Sequence, residues 1–169
     1  SSALKGYFIS GVGRTGISTL VFSNLSSTTI AETVGVAFIY AAAWNTEYKG
    51  MYAGGSINGS EIKGFNFSSE TLHTIAATLS LSRTGLAGVQ SSTVGYACGG
   101  YYTPNHTAEI DGISFATEAA VNPSATLSYE RQNAGGVSST TTGYCVGGVN
   151  GPQSTVIDGI RFSDEAGIV

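Results

Sequence analysis

The chain has 169 residues and a net charge of −4, from 7 lysines and arginines against 11 aspartates and glutamates. This length suits one compact domain or three to four units of a repeat array. Basic residues are scarce and unclustered, which excludes binding to a nucleic-acid backbone. No apolar run reaches about 20 residues and the Ser-rich start lacks a signal-peptide pattern, so we expect neither membrane insertion nor a leader. The apolar content of 41% argues against low-complexity disorder.

Two motifs recur along the chain. A Gly-Tyr-x-x-Gly-Gly run, degraded in its first two copies, begins at Gly6, Gly50, Gly95 and Gly143. An Ile-x-Gly-Ile/Phe-x-Phe run, without its glycine in the first copy, ends at Phe22, Phe67, Phe115 and Phe162. The separation from each such Phe to the next motif glycine is identical in all three cases, whereas the separation from the double glycine to the following Phe differs in every unit. Because a packed core tolerates no insertions, we predict that the variable arm is a surface loop between two strands.

Each period of roughly 45 residues contains four short strand-like runs separated by turn residues, and no segment has a helical pattern. In the third period the predicted strands are 86–89, Val94–Cys98, 109–115 and a fourth around 118–122. The Asp111-Gly112 pair interrupts the alternation of the third strand, and we interpret it as a β-bulge, with a plain turn as the alternative.

The order of arginine, Gly-Gly strand, variable loop and aromatic strand followed by glutamate resembles the kelch repeat. The best match runs from Arg131 to Glu165, and the stretch from Arg83 to Glu118 is nearly as good. The resemblance implies an all-β fold of kelch-like β-propeller blades, about 3.5 four-stranded blades in this chain. The expected units are a partial blade 1–34, a blade 35–77, a blade 78–125 and a partial blade 126–169, with three copies of the first and fourth strands against four of the others.

An incomplete ring exposes an unpaired edge, which predicts that the chain is an oligomer or part of a longer polypeptide. The Ser/Thr-rich, charge-poor sequence resembles kelch-like arrays in tailed-bacteriophage virion proteins. That resemblance implies a virion or extracellular location and a non-enzymatic role in a tail or fibre, in assembly or host-surface attachment. Its partners would be other virion proteins, copies of itself or a host-surface glycan. The alternatives are a propeller scaffold of a secreted carbohydrate-active protein and a cellular kelch adaptor that binds a protein.

No arrangement typical of catalysis or metal binding is evident in the sequence. The two histidines, His73 and His106, lie in different parts of different repeats, and neither zinc-type spacing nor a Gly-x-Ser-x-Gly elbow occurs. We therefore expect no enzyme activity, metal or cofactor. Cys98 and Cys145 fall on neighbouring units with opposite facing, which predicts buried free thiols without a disulfide.

Several charged residues recur at fixed places in the repeat. Glutamates follow the motif Phe at the same offset at Glu70, Glu118 and Glu165, and arginines follow it at a longer constant offset at Arg83 and Arg131. Recurrence in every unit predicts ion pairs or backbone bracing, because a catalytic acid would occur once. Asp111 and Asp158 are interpreted as turn residues and not calcium ligands, since Lys63 holds the equivalent position in the second unit.

The longest variable loop is the candidate ligand site. It contains Tyr101, Tyr102 and His106, a composition that stacks on sugar rings or forms adaptable protein contacts. The alternative is that these aromatic residues cap blade edges or line a subunit interface. In kelch propellers this loop shares a face with the connection that here carries Arg83, Tyr129 and Arg131, so the candidate site comprises all six residues.

Overall fold

The computed structural model describes residues 4–11, 14–34, 40–55 and 59–168, and it describes residues 10, 11 and 14 by their backbone alone. Within these ranges the chain forms β-strands and no helix, so the all-β prediction is confirmed. In the part of the chain that the structure describes there is also no apolar helix of membrane-spanning length.

The strands form four successive antiparallel meanders, here numbered sheets 1 to 4. Sheet 1 contains β1 (Lys5–Gly11), β2 (Arg14–Val21) and β3 (Ser27–Thr33). Sheet 2 contains β4 (Ala42–Asn45), β5 (Lys49–Ala53), β6 (Glu61–Asn66) and β7 (Thr71–Thr78). In the third meander, β8 (Ala87–Gln90) and β9 (Val94–Cys98) are followed by a small loop hairpin of β10 (Tyr101–Tyr102) and β11 (Asn105–His106), and then by β12 (Ile110–Ser114) and β13 (Ala120–Val121). Sheet 3 consists of β8, β9, β12 and β13, without the hairpin. Sheet 4 contains β14 (Gly135–Ser138), β15 (Thr142–Val146), β16 (Ile157–Arg161) and β17 (Ala166–Ile168).

The sheets stack face to face in chain order, because alternate residues of each strand face opposite neighbours. Tyr96 and Cys98 of β9 belong to a core cluster shared with sheet 4, while Ala97 between them belongs to a cluster shared with sheet 2. A third cluster joins sheets 1 and 2 around Ile17 and Phe65. A strand that is covered on both faces needs apolar residues at consecutive positions. This is why the strand-like runs of the sequence are continuous and apolar.

The variable arm of the repeat lies where the sequence predicts it, between the second and third strands of a meander. In sheets 2, 3 and 4 the loop joins β5 to β6, β9 to β12 and β15 to β16. The fixed arm contains the third-to-fourth strand turn, the crossing to the next sheet and that sheet's first strand. The crossings contain buried residues, such as Leu79 and Leu86 before sheet 3 and Leu127 before sheet 4, so their length is constrained.

The predicted strand count is wrong at the fourth strand. Sheet 4 has all four strands, because β17 follows directly on the turn at Glu165. Sheet 1 has three strands in the described residues, and their motifs correspond to the second, third and fourth strands of the other sheets. The described residues therefore contain three copies of the first strand and four copies of each other strand. The sequence does not predict β17 because this strand is very short and lacks a motif.

The predicted β-bulge at Asp111-Gly112 is also wrong. The register of β12 with β9 is unbroken, from Ile110 opposite Cys98 to Ser114 opposite Val94. Gly112 lies directly opposite Val121 on β13, and a Cβ at Gly112 would come within 2.9 Å of the Val121 Cβ. The glycine thus gives space to a cross-strand side chain and supplies no unusual dihedral.

The two cysteines are free and buried, as predicted, but they lie together. Cys98 faces sheet 4 and Cys145 faces sheet 3, so both side chains point into the same interface. Their opposite facing therefore brings the thiols into contact. Hydrogen bonding with Cys145, together with burial, raises the pKa of the Cys98 thiol well above its ordinary value.

Candidate functional site

Two glycines with left-handed backbone begin the longest variable loop. Gly99 has φ 63° and Gly100 has φ 123°, and the double glycines of sheets 2 and 4 share this conformation. A Cβ at Gly99 would lie 2.5 Å from the Arg131 carbonyl oxygen, and one at Gly100 would lie 2.9 Å from the Thr84 carbonyl oxygen. The motif therefore requires glycine both for its dihedrals and for the close approach of backbone from the connections before and after sheet 3.

The loop that follows is itself an ordered hairpin. Tyr101 pairs with His106 and Tyr102 with Asn105 across β10 and β11, and the turn contains a cis peptide bond before Pro104. The Tyr101 and His106 rings meet edge to face, with their centroids 5.2 Å apart. Both tyrosines and His106 are partly exposed, and Asn105 is exposed at the turn. The paired hairpin thus presents aromatic rings and the Asn105 amide at the surface.

Backbone hydrogen bonds connect this hairpin to its neighbours on one rim. The Tyr101 N–H donates to the Thr84 carbonyl at 2.7 Å, and the Gly100 N–H donates to the Arg131 carbonyl at 2.8 Å. The exposed Tyr129 reaches the next loop, where its hydroxyl donates to the Asn150 carbonyl at 3.1 Å. The hairpin, the connection before sheet 4 and the loop of sheet 4 therefore form a continuous surface.

Arg83 and Arg131 do not belong to that surface. Both guanidinium groups are fully buried beneath it, between neighbouring sheets. Arg83 Nη2 donates to Asp111 Oδ2 at 2.7 Å, and Arg131 Nη1 lies 2.6 Å from Asp158 Oδ2. Burial lowers the pKa of Arg83 from its ordinary value, and the Asp111 charge opposes that effect. The candidate ligand surface is thus reduced to Tyr101, Tyr102, His106 and Tyr129.

The aspartates have a role that the sequence interpretation missed. Asp111 and Asp158 lie within β12 and β16 and not in turns, and each carboxylate faces the arginine of the preceding connection. Arg83 also donates to the Ala97 carbonyl at 3.2 Å. Each arginine–aspartate pair therefore ties the connection to the inner strands of the sheet that follows it.

The recurrent glutamates have the structural role that their repetition predicts. Glu70, Glu118 and Glu165 all have positive φ, between 54° and 56°, in the turn before the fourth strand. Their carboxylates reach back to the preceding sheet, where they accept hydrogen bonds from Lys5, Lys49 and the Tyr96 hydroxyl respectively. Burial raises the pKa of Glu118, but hydrogen bonds from Lys49 and His73 outweigh it, so its pKa lies below the ordinary value.

A cavity of about 590 Å³ lies between sheets 1 and 2, at the end of the sheets opposite the variable loops. It is lined by Leu4, Lys5, Tyr7, Glu47, Tyr48, Phe67, Ser68, Ser69 and Glu70. The Tyr7 and Phe67 rings stack with centroids 5.1 Å apart, and Lys5 Nζ donates to Glu70 at 2.7 Å. Nothing in the repeat pattern singles out this cavity, because it depends on how two sheets meet.

Within the described ranges, no group of three or more His, Cys, Asp or Glu side chains could hold a metal ion. No protein-family model matches the chain, and no curated protein matches it.

Proposed function

We propose that the chain is a non-enzymatic, kelch-like β-propeller module of a tailed-phage virion, acting in tail or fibre assembly and in host-surface attachment. The observation that carries this proposal is the division of the repeat into fixed and variable parts. Strands and connections pack between sheets, while the loops that differ in length lie on one rim and are joined there by hydrogen bonds. A rigid scaffold with variable loops is the usual design of a binding module.

The stacking of the sheets supports the propeller part of the proposal. Each of sheets 2 to 4 is a four-stranded antiparallel meander, and equivalent positions pack against the neighbouring sheet each time. Trp44 illustrates the tight fit, since its ring covers Gly95 and its Nε1 donates to the Tyr96 carbonyl at 3.1 Å across the interface. Face-to-face meanders of this kind are the units from which propellers are built.

The ligand that the rim fits best is a glycan on the host surface. Tyr101, Tyr102 and Tyr129 offer rings that are at least partly exposed, and Asn105 and the hydroxyl groups offer hydrogen-bond donors and acceptors. Sugars present apolar ring faces edged with hydroxyl groups, which suits this combination. The low charge of the chain also favours a neutral ligand over an ionic one.

A glycan array probed with the purified chain tests the attachment role. We expect wild type to bind a limited set of glycans, and a variant with Tyr101→Ala and Tyr102→Ala to lose at least about tenfold in affinity, equivalent to about 1.4 kcal/mol. Tyr48→Ala is the matched control, because Tyr48 is exposed at the opposite end of the sheets. Unchanged binding by the double variant refutes the loop's role.

Two further results would contradict the rest of the proposal. Antibodies raised against the chain should label intact virions in immuno-electron microscopy, and absence of label from the particles of the parent phage rules out a virion component. Turnover of any substrate by the purified chain contradicts the non-enzymatic role.

A further inference from the structure

The interface between sheets 2 and 3 and the interface between sheets 3 and 4 follow one rule. Val89 on the first strand of sheet 3 covers Gly143 on the second strand of sheet 4, where a Cβ would lie 2.6 Å from Val89 Cγ2. Trp44 of sheet 2 covers Gly95 of sheet 3 in the same way. At these two interfaces the forward side of one sheet contributes a first-strand side chain, and the rear side of the next sheet has a second-strand glycine that receives it.

No other sheet in the described part of the chain covers the forward side of sheet 4. Val137 holds the position of Val89, and it is 58% exposed where Val89 is 2% exposed. Ile157 holds the position of Ile110, and it is 54% exposed where Ile110 is 5% exposed. Val146 of the second strand is also exposed. We call Val137, Val146 and Ile157 the forward face.

Among the described residues, no other sheet covers the rear side of sheet 1 either. Phe8 holds the position of Cys145, and it is 63% exposed where the cysteine is 3% exposed. Phe22 is exposed beside it, and Gly6 holds the position of Gly143. The nearest atoms to a Cβ at Gly6 belong to the Phe22 ring of the same sheet, at 3.3 Å, so among the described residues no first-strand side chain from another sheet fills that place. We call Gly6, Phe8 and Phe22 the rear face.

We propose that the forward face of one chain docks on the rear face of a second copy, head to tail, with Val137 placed over Gly6. This deepens the assembly part of the proposed function and rests on it. The two faces carry the residue classes that meet between sheets 3 and 4, an aliphatic group against a glycine flanked by apolar side chains. The apolar side chains of both faces are exposed within one chain, so the two faces do not cover each other, and Gly6 is buried only by groups of its own chain, the Phe22 ring among them.

A second copy is the occupant that the repeat itself specifies, because the new contact continues the interfaces already present inside the chain. A head-to-tail contact either closes into a ring or extends as a filament. Two copies would bring together eight sheets of the kind described here, a number within the range of closed propellers, about four to eight blades.

Analytical ultracentrifugation over a concentration series tests this inference. We expect wild type to reach at least twice the mass of one chain. Val137→Asp and Phe8→Asp should each raise the dissociation constant about 30-fold or more, because a charge is desolvated at the centre of an apolar contact. Both residues are exposed in the single chain, so neither change should impair folding, and circular dichroism checks this.

Mixing the two variants gives the sharper test. The Val137→Asp chain keeps an intact rear face and the Phe8→Asp chain keeps an intact forward face, so the mixture should form a 1:1 dimer although neither variant does so alone. Tyr48→Asp is the control, because it places the same charge on an exposed aromatic side chain beside the cavity between sheets 1 and 2, which is part of neither face.

Three results would overturn the inference. They are a wild-type chain that stays monomeric up to about 1 mM, an oligomer that survives both substitutions, and a mixture of the variants that gives no dimer. If the variant with Tyr101→Ala and Tyr102→Ala loses glycan binding but keeps the oligomer, only the loop site is affected. If the Val137→Asp or Phe8→Asp variant loses the oligomer but keeps glycan binding, only the two faces are affected.

Discussion

Replacing Arg131 by alanine removes the cation that faces Asp158 between the sheets. The Asp158 side chain is only 3% exposed, and the Arg131 guanidinium is completely buried, so the variant leaves a carboxylate without its counter-charge. The Cys145 carbonyl also loses a donor at 3.1 Å, Arg131 Nη2. Removal of one partner from a buried ion pair costs about 3–5 kcal/mol of unfolding free energy. For a chain of this length, that corresponds to a fall in Tm of roughly 6–20 °C.

Arg83→Ala provides an internal comparison. Asp111 is 12% exposed, and it keeps hydrogen bonds from the Ser80 N–H at 3.2 Å and the Ser80 hydroxyl at 3.0 Å when the arginine is removed. We therefore expect Arg83→Ala to cost less, about 1–3 kcal/mol. The double variant Arg131→Met with Asp158→Leu should recover most of the lost stability, because apolar pairs often replace buried ion pairs without net cost.

Urea unfolding followed by circular dichroism measures all of these variants. The reasoning is refuted if Arg131→Ala lies within about 1 kcal/mol of wild type, which is the cost of an ordinary substitution. It is also refuted if Arg83→Ala is the more destabilising of the two single variants.

Three further predictions concern other interfaces. Gly136→Ala should lower Tm markedly, because its Cβ would collide with a backbone oxygen of the neighbouring sheet, whereas Gly135→Ala, whose nearest neighbour would be 3.8 Å away, should not. The thiols of Cys98 and Cys145 should not react with Ellman's reagent at pH 8 in the native chain, and both should react in urea; rapid native labelling contradicts their burial. Because the pKa of Glu118 is lowered by folding, its stabilisation is present above its ordinary pKa and is lost as pH falls through the lowered value. The difference in urea midpoint between wild type and Glu118→Gln should accordingly be largest near neutral pH and vanish in acid, and a constant difference argues against the linkage.

The features that repeat in the sequence are those that could be predicted. Strand positions, the variable loop and the structural role of the recurrent glutamates all follow from comparing the copies. Features that depend on how sheets meet could not be obtained in this way. The contact between Cys98 and Cys145 and the cavity beside Tyr48 arise between two units, and no pattern within one unit encodes them.

The arginine–aspartate pairs are detectable in the sequence, because both partners are absent together from one unit. Where the later units have Arg83 and Asp111, or Arg131 and Asp158, the second unit has Phe38 and Lys63. The loss of both partners together indicates that they interact, since a buried charge is tolerated only with its counter-charge. Phe38 lies outside the described residues, so the comparison rests on sequence alone. The short strand β17 has no comparable signal in the sequence.

The left-handed glycine pairs have a practical consequence for engineering. They fix the direction in which each loop departs and returns, independently of what the loop contains, since the backbone at Gly99 and Gly100 is held by the adjoining connection. Foreign peptides inserted after such a pair should therefore be displayed without disturbing the scaffold. Libraries built at three neighbouring insertion points would share one orientation, as the complementarity loops of an antibody do.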